Sequence, residues 1–357
     1  MGKKLIKLLV ILLFLPLVSL ADVINIKGSA PEVYVVKKGD TLWDISSLYL
    51  DKPWLWPELW RNNVHIDNPH LIYPGDELRL RYNAEGEPQL EMVRETPKTQ
   101  IKLSPQGHKV MKQAEPIPAL PWTVIQPYIE NSSIMSDEEY QRLPHLLGNQ
   151  EGAVRYVSGD LVLSRAARRT PGRYNIIRKQ NPVLDQYGNL LGIQIRHVAD
   201  AVPLESEIEG QHLVELKQAN FEAKRGDKLL PAEDIAPQNL ELHPATRQKG
   251  QIVDSLEQHQ LLGKYNVVVL DLGEREVKPG TVFGIYLQGP DIYDGESPKY
   301  DKENGFIQAV FDGGDEVAQP FIKAGEVVVF KVFEKASYAL ITRSTKVIRK
   351  GALVAKP

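Results

Sequence analysis

The hydrophobic pattern of this chain changes period several times near its start and then settles into a single rhythm. Val33 to Val36 is an apolar run that stops at Gly39-Asp40, which predicts a short strand closed by a turn. Thr41, followed three residues later by Asp44, spells a helix start. Leu42, Ile45, Leu48 and Tyr49 then share one face of that helix. Pro57 suits the first turn of a second helix carrying Leu59 and Trp60. Pro74-Gly75-Asp76 marks another turn, and Leu78 and Leu80 alternate as a strand requires. Strand, helix, helix, strand within residues 33–82 is a small α+β unit that must pack tightly to stand alone.

Past Tyr82 the pattern dissolves. Residues 83–120 are polar and carry Gly86, Pro88, Pro97, Pro105, Pro116 and Pro118, the composition of a partly extended linker. Ser136-Asp137-Glu138-Glu139 is a second helix start, and Pro144 limits the helix that follows through Tyr140 and Leu143. Beyond it nearly every apolar run has strand character. Such runs lie at 156–163, 174–178, 190–198, 212–216, 266–270, 282–286, 327–333 and 338–342, separated by Gly, Pro, Asn and Asp. Residues 255–262 form the one segment with helical spacing. The expectation is a mainly antiparallel β region of sandwich or barrel type.

That region carries an internal echo. Tyr174-Asn175-Ile176-Ile177-Arg178, Gly192-Ile193-Gln194-Ile195, Ala199 and Lys224-Arg225-Gly226-Asp227-Lys228-Leu229 follow one another in the first part. Phe283-Gly284-Ile285-Tyr286, Gly325-Glu326-Val327-Val328-Val329, Ala336 and Arg349-Lys350-Gly351-Ala352-Leu353 follow in the second. Two related β modules, 121–242 and 243–357, would explain it, and so would the ordinary likeness of β proteins with Gly turns.

The N-terminus bears on compartment. Lys3, Lys4 and Lys7 precede an apolar run from Leu8 to Val18, and Ser19-Leu20-Ala21 places small residues where a signal peptidase reads. This predicts a cleaved signal peptide over residues 1–21 and a periplasmic protein without stable membrane insertion, because the run is well short of the ~20 residues a spanning helix needs. Asp22 stands at the junction, so a lipid-modified cysteine is not expected there. The chain has no cysteine at all, which removes disulfides, thiolate zinc sites and cysteine nucleophiles. A net charge of -3 with scattered Lys and Arg gives no reason to expect nucleic acid. The basic run from Arg165 to Arg173 reads as a solvated loop.

The segment 33–82 resembles the LysM domain, a module that binds N-acetylglucosamine-containing glycans such as peptidoglycan. The resemblance rests on Tyr34-Val35-Val36, Gly39-Asp40-Thr41-Leu42, Ile45, Tyr49, Asn62 or Asn63, Asn68-Pro69, Ile72 and Pro74-Gly75-Asp76-Glu77-Leu78. Its departure is the tryptophan-rich stretch Trp54-Leu55-Trp56-Pro57-Glu58-Leu59-Trp60, which looks like a variant of Gram-negative periplasmic proteins. The resemblance implies a glycan groove between the turn after the first strand and the loop before the second. Carried onto this chain, the groove residues are Gly39, Asp40, Thr41, Leu42, Asn68, Pro69, His70, Leu71, Ile72 and Tyr73. Asp40 and Thr41 also suit a helix-capping role, Ile72 a core role, and the tryptophans a core with one ring left for the sugar.

Catalytic constellations are missing from the spelling. The eight histidines are isolated, no His-Glu-x-x-His occurs, and no Gly-x-Ser-x-Gly elbow is present. No cofactor or metal is implied. Two functions remain. One is a non-catalytic peptidoglycan binder that presents its β region to an envelope partner. The other is a peptidoglycan-modifying hydrolase whose carboxylates are brought together by folding.

Overall fold

A computed structural model describes residues 24–60, 72–93, 117–165, 172–204, 212–232, 240–257, 259–294, 298–300 and 315–357. The chain divides into two compact units, 1–117 and 118–357. The predicted signal peptide and the groove residues 68–71 lie outside the described residues.

In the first unit, β1 (Val33–Val35) leads to helix α1 (Leu42–Tyr49), a 3-10 turn (Pro53–Leu55), helix α2 (Trp56–Trp60) and β2 (Glu77–Tyr82). Thr41 caps α1 by accepting a 3.0 Å bond from the Asp44 amide, as the sequence spelling predicts. A difference follows β2. Pro88–Val93, which composition assigns to the linker, forms β3, and the sheet order is β1-β2-β3. Leu90 and Met92 alternate inward along β3 and supply apolar area that so small a unit needs. Trp43, Trp54, Trp56 and Trp60 are each at most 5% exposed, so all four build the core and none is left for a sugar.

The second unit opens with helix α3 (Trp122–Asn131), β4 (Ser132–Met135) and helix α4 (Asp137–Arg142), whose Ser136 cap accepts from the Glu139 amide. Six strands follow: β5 (His145–Gly148), β6 (Leu161–Arg165), β7 (Tyr174–Leu184), β8 (Leu190–Leu204), β9 (His212–Lys217) and β10 (Lys228–Pro231). Their pairings close a ring, β5-β6-β9-β8-β7-β10 and back to β5, with every pair antiparallel. Six more strands come after it: β11 (Gly250–Ser255), β12 (Val267–Leu270), β13 (Thr281–Leu287), β14 (Ile322–Val332), β15 (Ser337–Ser344) and β16 (Leu353–Ala355). They close a second antiparallel ring, β11-β12-β15-β14-β13-β16 and back to β11.

Both barrels therefore run first-second-fifth-fourth-third-sixth. The likeness extends to single hydrogen bonds. Gly226 donates to the Leu146 carbonyl and Leu146 to that of Asp227; Gly351 donates to Ile252 and Ile252 to Ala352. Gly159 and Tyr265 hold matching places before the second strands, with φ of 93° and 73°, and bond the fifth strands at Leu216 and Ile341. A tyrosine in the left-handed region is unusual, and its counterpart is the glycine that suits it. The sequence echo is a real repeat of fold, with two corrections. Register places Ala199 opposite Gly325 in the comparison, not Gly192, and Ala336 lies in a turn, not in a strand. The helix expected at 255–262 is also absent among the described residues: Ser255 ends β11 and a turn follows.

Each barrel encloses its own core, around Tyr156, Ile176 and Leu216 in the first and Phe283, Val327 and Ile341 in the second. They are tied by Lys331 of β14, whose Nζ donates 2.7 Å bonds to the carbonyls of Ile129 and Ser132 at the end of α3. A lysine there satisfies carbonyls that a helix end leaves open and complements its dipole.

Candidate functional site

Two turns of the first unit are built alike and held together. In the first, the Lys37 amide donates to Asp40 Oδ2 at 2.8 Å and the Asp40 amide returns to the Lys37 carbonyl at 3.2 Å. In the second, the Tyr73 amide donates to Asp76 Oδ2 at 2.9 Å and the Asp76 amide to the Tyr73 carbonyl at 3.0 Å. Gly39 and Gly75 precede these aspartates, both at φ 99°, where a side chain is strained. Val36 joins the turns: its amide donates to the Asp76 carbonyl, and its carbonyl accepts from the Gly75 amide. The folded backbone thus sets the turn after β1 beside the loop before β2.

Tyr34 secures the first turn. Its hydroxyl donates to Asp40 Oδ2 at 2.9 Å, and burial followed by that bond pushes the phenol up to about 12. Asp40 is consequently committed to the turn, and Thr41 to capping α1, as their spelling suggests. Thr41, Leu42 and Ile72 are each 2% exposed, so what they offer a ligand at this rim is main chain. Gly39 is exposed and Tyr73 half-buried. Asp76 is absent from the groove residues that the resemblance implies, yet it fixes the second turn. The repeated Gly-Asp spelling is the signal that points to it. Asn68, Pro69, His70 and Leu71 fall outside the described residues.

A strand, two short helices and a strand, with paired turns at one end of the sheet, define a small α+β recognition module. Residues 34–81 match the LysM domain family, so this module is a LysM domain within a longer chain. The uncharacterized protein YqbP of Bacillus subtilis (strain 168) is 37% identical over 62 residues. That alignment covers 15% of this chain and 28% of YqbP, so the likeness is one of segments. The LysM match supports binding of N-acetylglucosamine-containing glycans by this module. Among the described residues, no helix is long and apolar enough to cross a membrane.

Proposed function

We propose that this is a periplasmic, non-catalytic protein that docks on peptidoglycan through residues 34–81 and presents its twin barrels to an envelope partner. The observation that carries the reading is the pair of locked Gly-Asp turns in a LysM domain. Together they offer a rim of preorganised main-chain groups, suited to the acetamido and hydroxyl groups of an amino sugar. The signal-peptide spelling of residues 1–21 supports export, and a chain without cysteine needs no disulfide there.

The hydrolase reading requires two carboxylates free to act across a sugar. In a large cleft of the first barrel, Asp200 is held by His197 at 2.9 Å, Glu130 by Gln126 at 2.9 Å, and Glu215 by Lys217. Purified sacculi incubated with the full-length protein should retain it in the pellet and release no soluble muropeptides. Muropeptides appearing at catalytic protein levels would establish the hydrolase instead.

A further inference from the structure

The repeated barrel allows position-by-position comparison, and one pair of positions stands out. In the first barrel His197 and Asp200 of β8 are joined, Nε2 to Oδ1, at 2.9 Å. Register places Lys323 and Glu326 of β14 at the same two positions, joined Nζ to Oε1 at 2.7 Å. Both barrels thus carry a base and an acid three residues apart across a β-bulge.

Their surroundings differ. Glu326 is 1% exposed, and its Oε2 has no hydrogen-bond partner among the described residues. The space above it is filled: a Cβ on Gly284 would meet Tyr286 at 2.8 Å and Pro357 at 3.1 Å, and Tyr286 bonds the Lys356 carbonyl. In the first barrel Asn175 replaces Gly284, Ile177 replaces Tyr286, and Ala232 replaces Pro357. There the same place is a cleft of about 960 Å3, and the Asp200 side chain is 38% exposed.

We infer that this cleft, walled by Asn131, Asn175, Gln218, Asn220 and the His197–Asp200 pair, is a binding site for a neutral saccharide. The lining decides the class. Amide side chains both donate and accept, and the carboxylates of Asp200, Glu130 and Glu215 share the lining with the donors Arg173 and Lys217, so the matching ligand must itself both donate and accept. Hydroxyls do both, and with Arg173 and Lys217 set against the three carboxylates no strong net charge selects an ionic ligand. The cleft also has the volume of a small-molecule site. Asn220 Nδ2 lies 3.3 Å from His197 Nδ1, so both imidazole nitrogens are held and the ring is preset against the cleft. The second barrel keeps the base–acid pair and has lost the room.

The His197 ring is the reporter, and it answers separately from the LysM domain. Its proton resonances in the full-length protein are identified by their loss in His197→Asn. Titration with diacetylchitobiose, with cellobiose, and with a neutral acetylated tripeptide amide follows, each to about 10 mM, a range that captures weak single-site binding. The expected result is a saturable shift with at least one disaccharide and none with the peptide. Asp200→Asn should weaken that shift at least fivefold with an unchanged melting temperature, whereas Lys323→Met leaves it intact. No saturable shift with either sugar, or a shift with the peptide alone, overturns the inference. Loss of sacculus pelleting with the shift retained would count against the LysM reading only.

Discussion

Among the described residues, Lys331 carries a charge that the fold tolerates poorly. Desolvation pulls its amine down to about 8 from the usual 10.5, and no carboxylate among the described residues offsets this. A depressed lysine works against folding wherever the unfolded chain holds the proton more firmly. The penalty is full below about pH 8 and is relieved as pH rises toward the unfolded value. Its size is on the order of 3 kcal/mol, since each tenfold loss of proton affinity is worth about 1.4 kcal/mol. Urea unfolding should therefore show the native protein gaining stability relative to Lys331→Met between about pH 8 and 10. Parallel pH profiles for the two would mean that water reaches the amine.

At the scale of elements, the barrels offer a second comparison. Arg178 of β7 grips Asp227 just before β10 with two bonds, Nε to Oδ1 at 2.8 Å and an Nη to Oδ2 at 2.7 Å. The Asp227 side chain is 5% exposed, and the second barrel has Leu287 and Ala352 in these places. Arg178→Leu alone leaves a buried carboxylate without its cation and should cost about 3–5 kcal/mol in urea unfolding. Adding Asp227→Ala, which copies the second barrel, should recover at least half of that loss. An additive or worse double variant would show that the two barrels differ in more than this pair.

The same elements show what was legible in the sequence. Gly-Asp marked turns at 39–40 and 75–76, and the same spelling stands at 159–160 and 226–227, each glycine with positive φ. Val267–Leu270 read plainly as a strand because all four residues are buried, which keeps the run apolar. By contrast α3 was hidden by Pro127 inside it, which reads as a breaker, and β3 by Pro88 at its start. The LysM domain was legible through residue order. The barrel cleft was not, because His197, Asn175 and Asn220 come from separate strands and loops, and only register brings them together.

For the whole molecule, β3 changes the minimum glycan-binding piece. A fragment ending at residue 85 would strip β2 of a partner along its full length, from Glu77 opposite Val93 to Tyr82 opposite Pro88. The Ile117 amide also bonds the Ile72 carbonyl, carrying the unit to the boundary at 117. Residues 22–117 should accordingly sediment with sacculi more weakly than envelope proteins bearing several such modules, since linked modules gain avidity. A version ending at 85 should melt earlier and pellet less. Equal pelleting by both would show that β3 is dispensable.

The ring order has a consequence for biogenesis. In each barrel the sixth strand is the stave between the first and the third, so neither barrel can seal until its final segment has been delivered. For the second barrel that segment is Leu353–Ala355. A chain made N-terminus first holds two raw sheet margins open until that strand is delivered, and raw margins recruit other chains. Chaperones would have this interval to cover. Loss of Leu353–Ala355 would prolong it indefinitely.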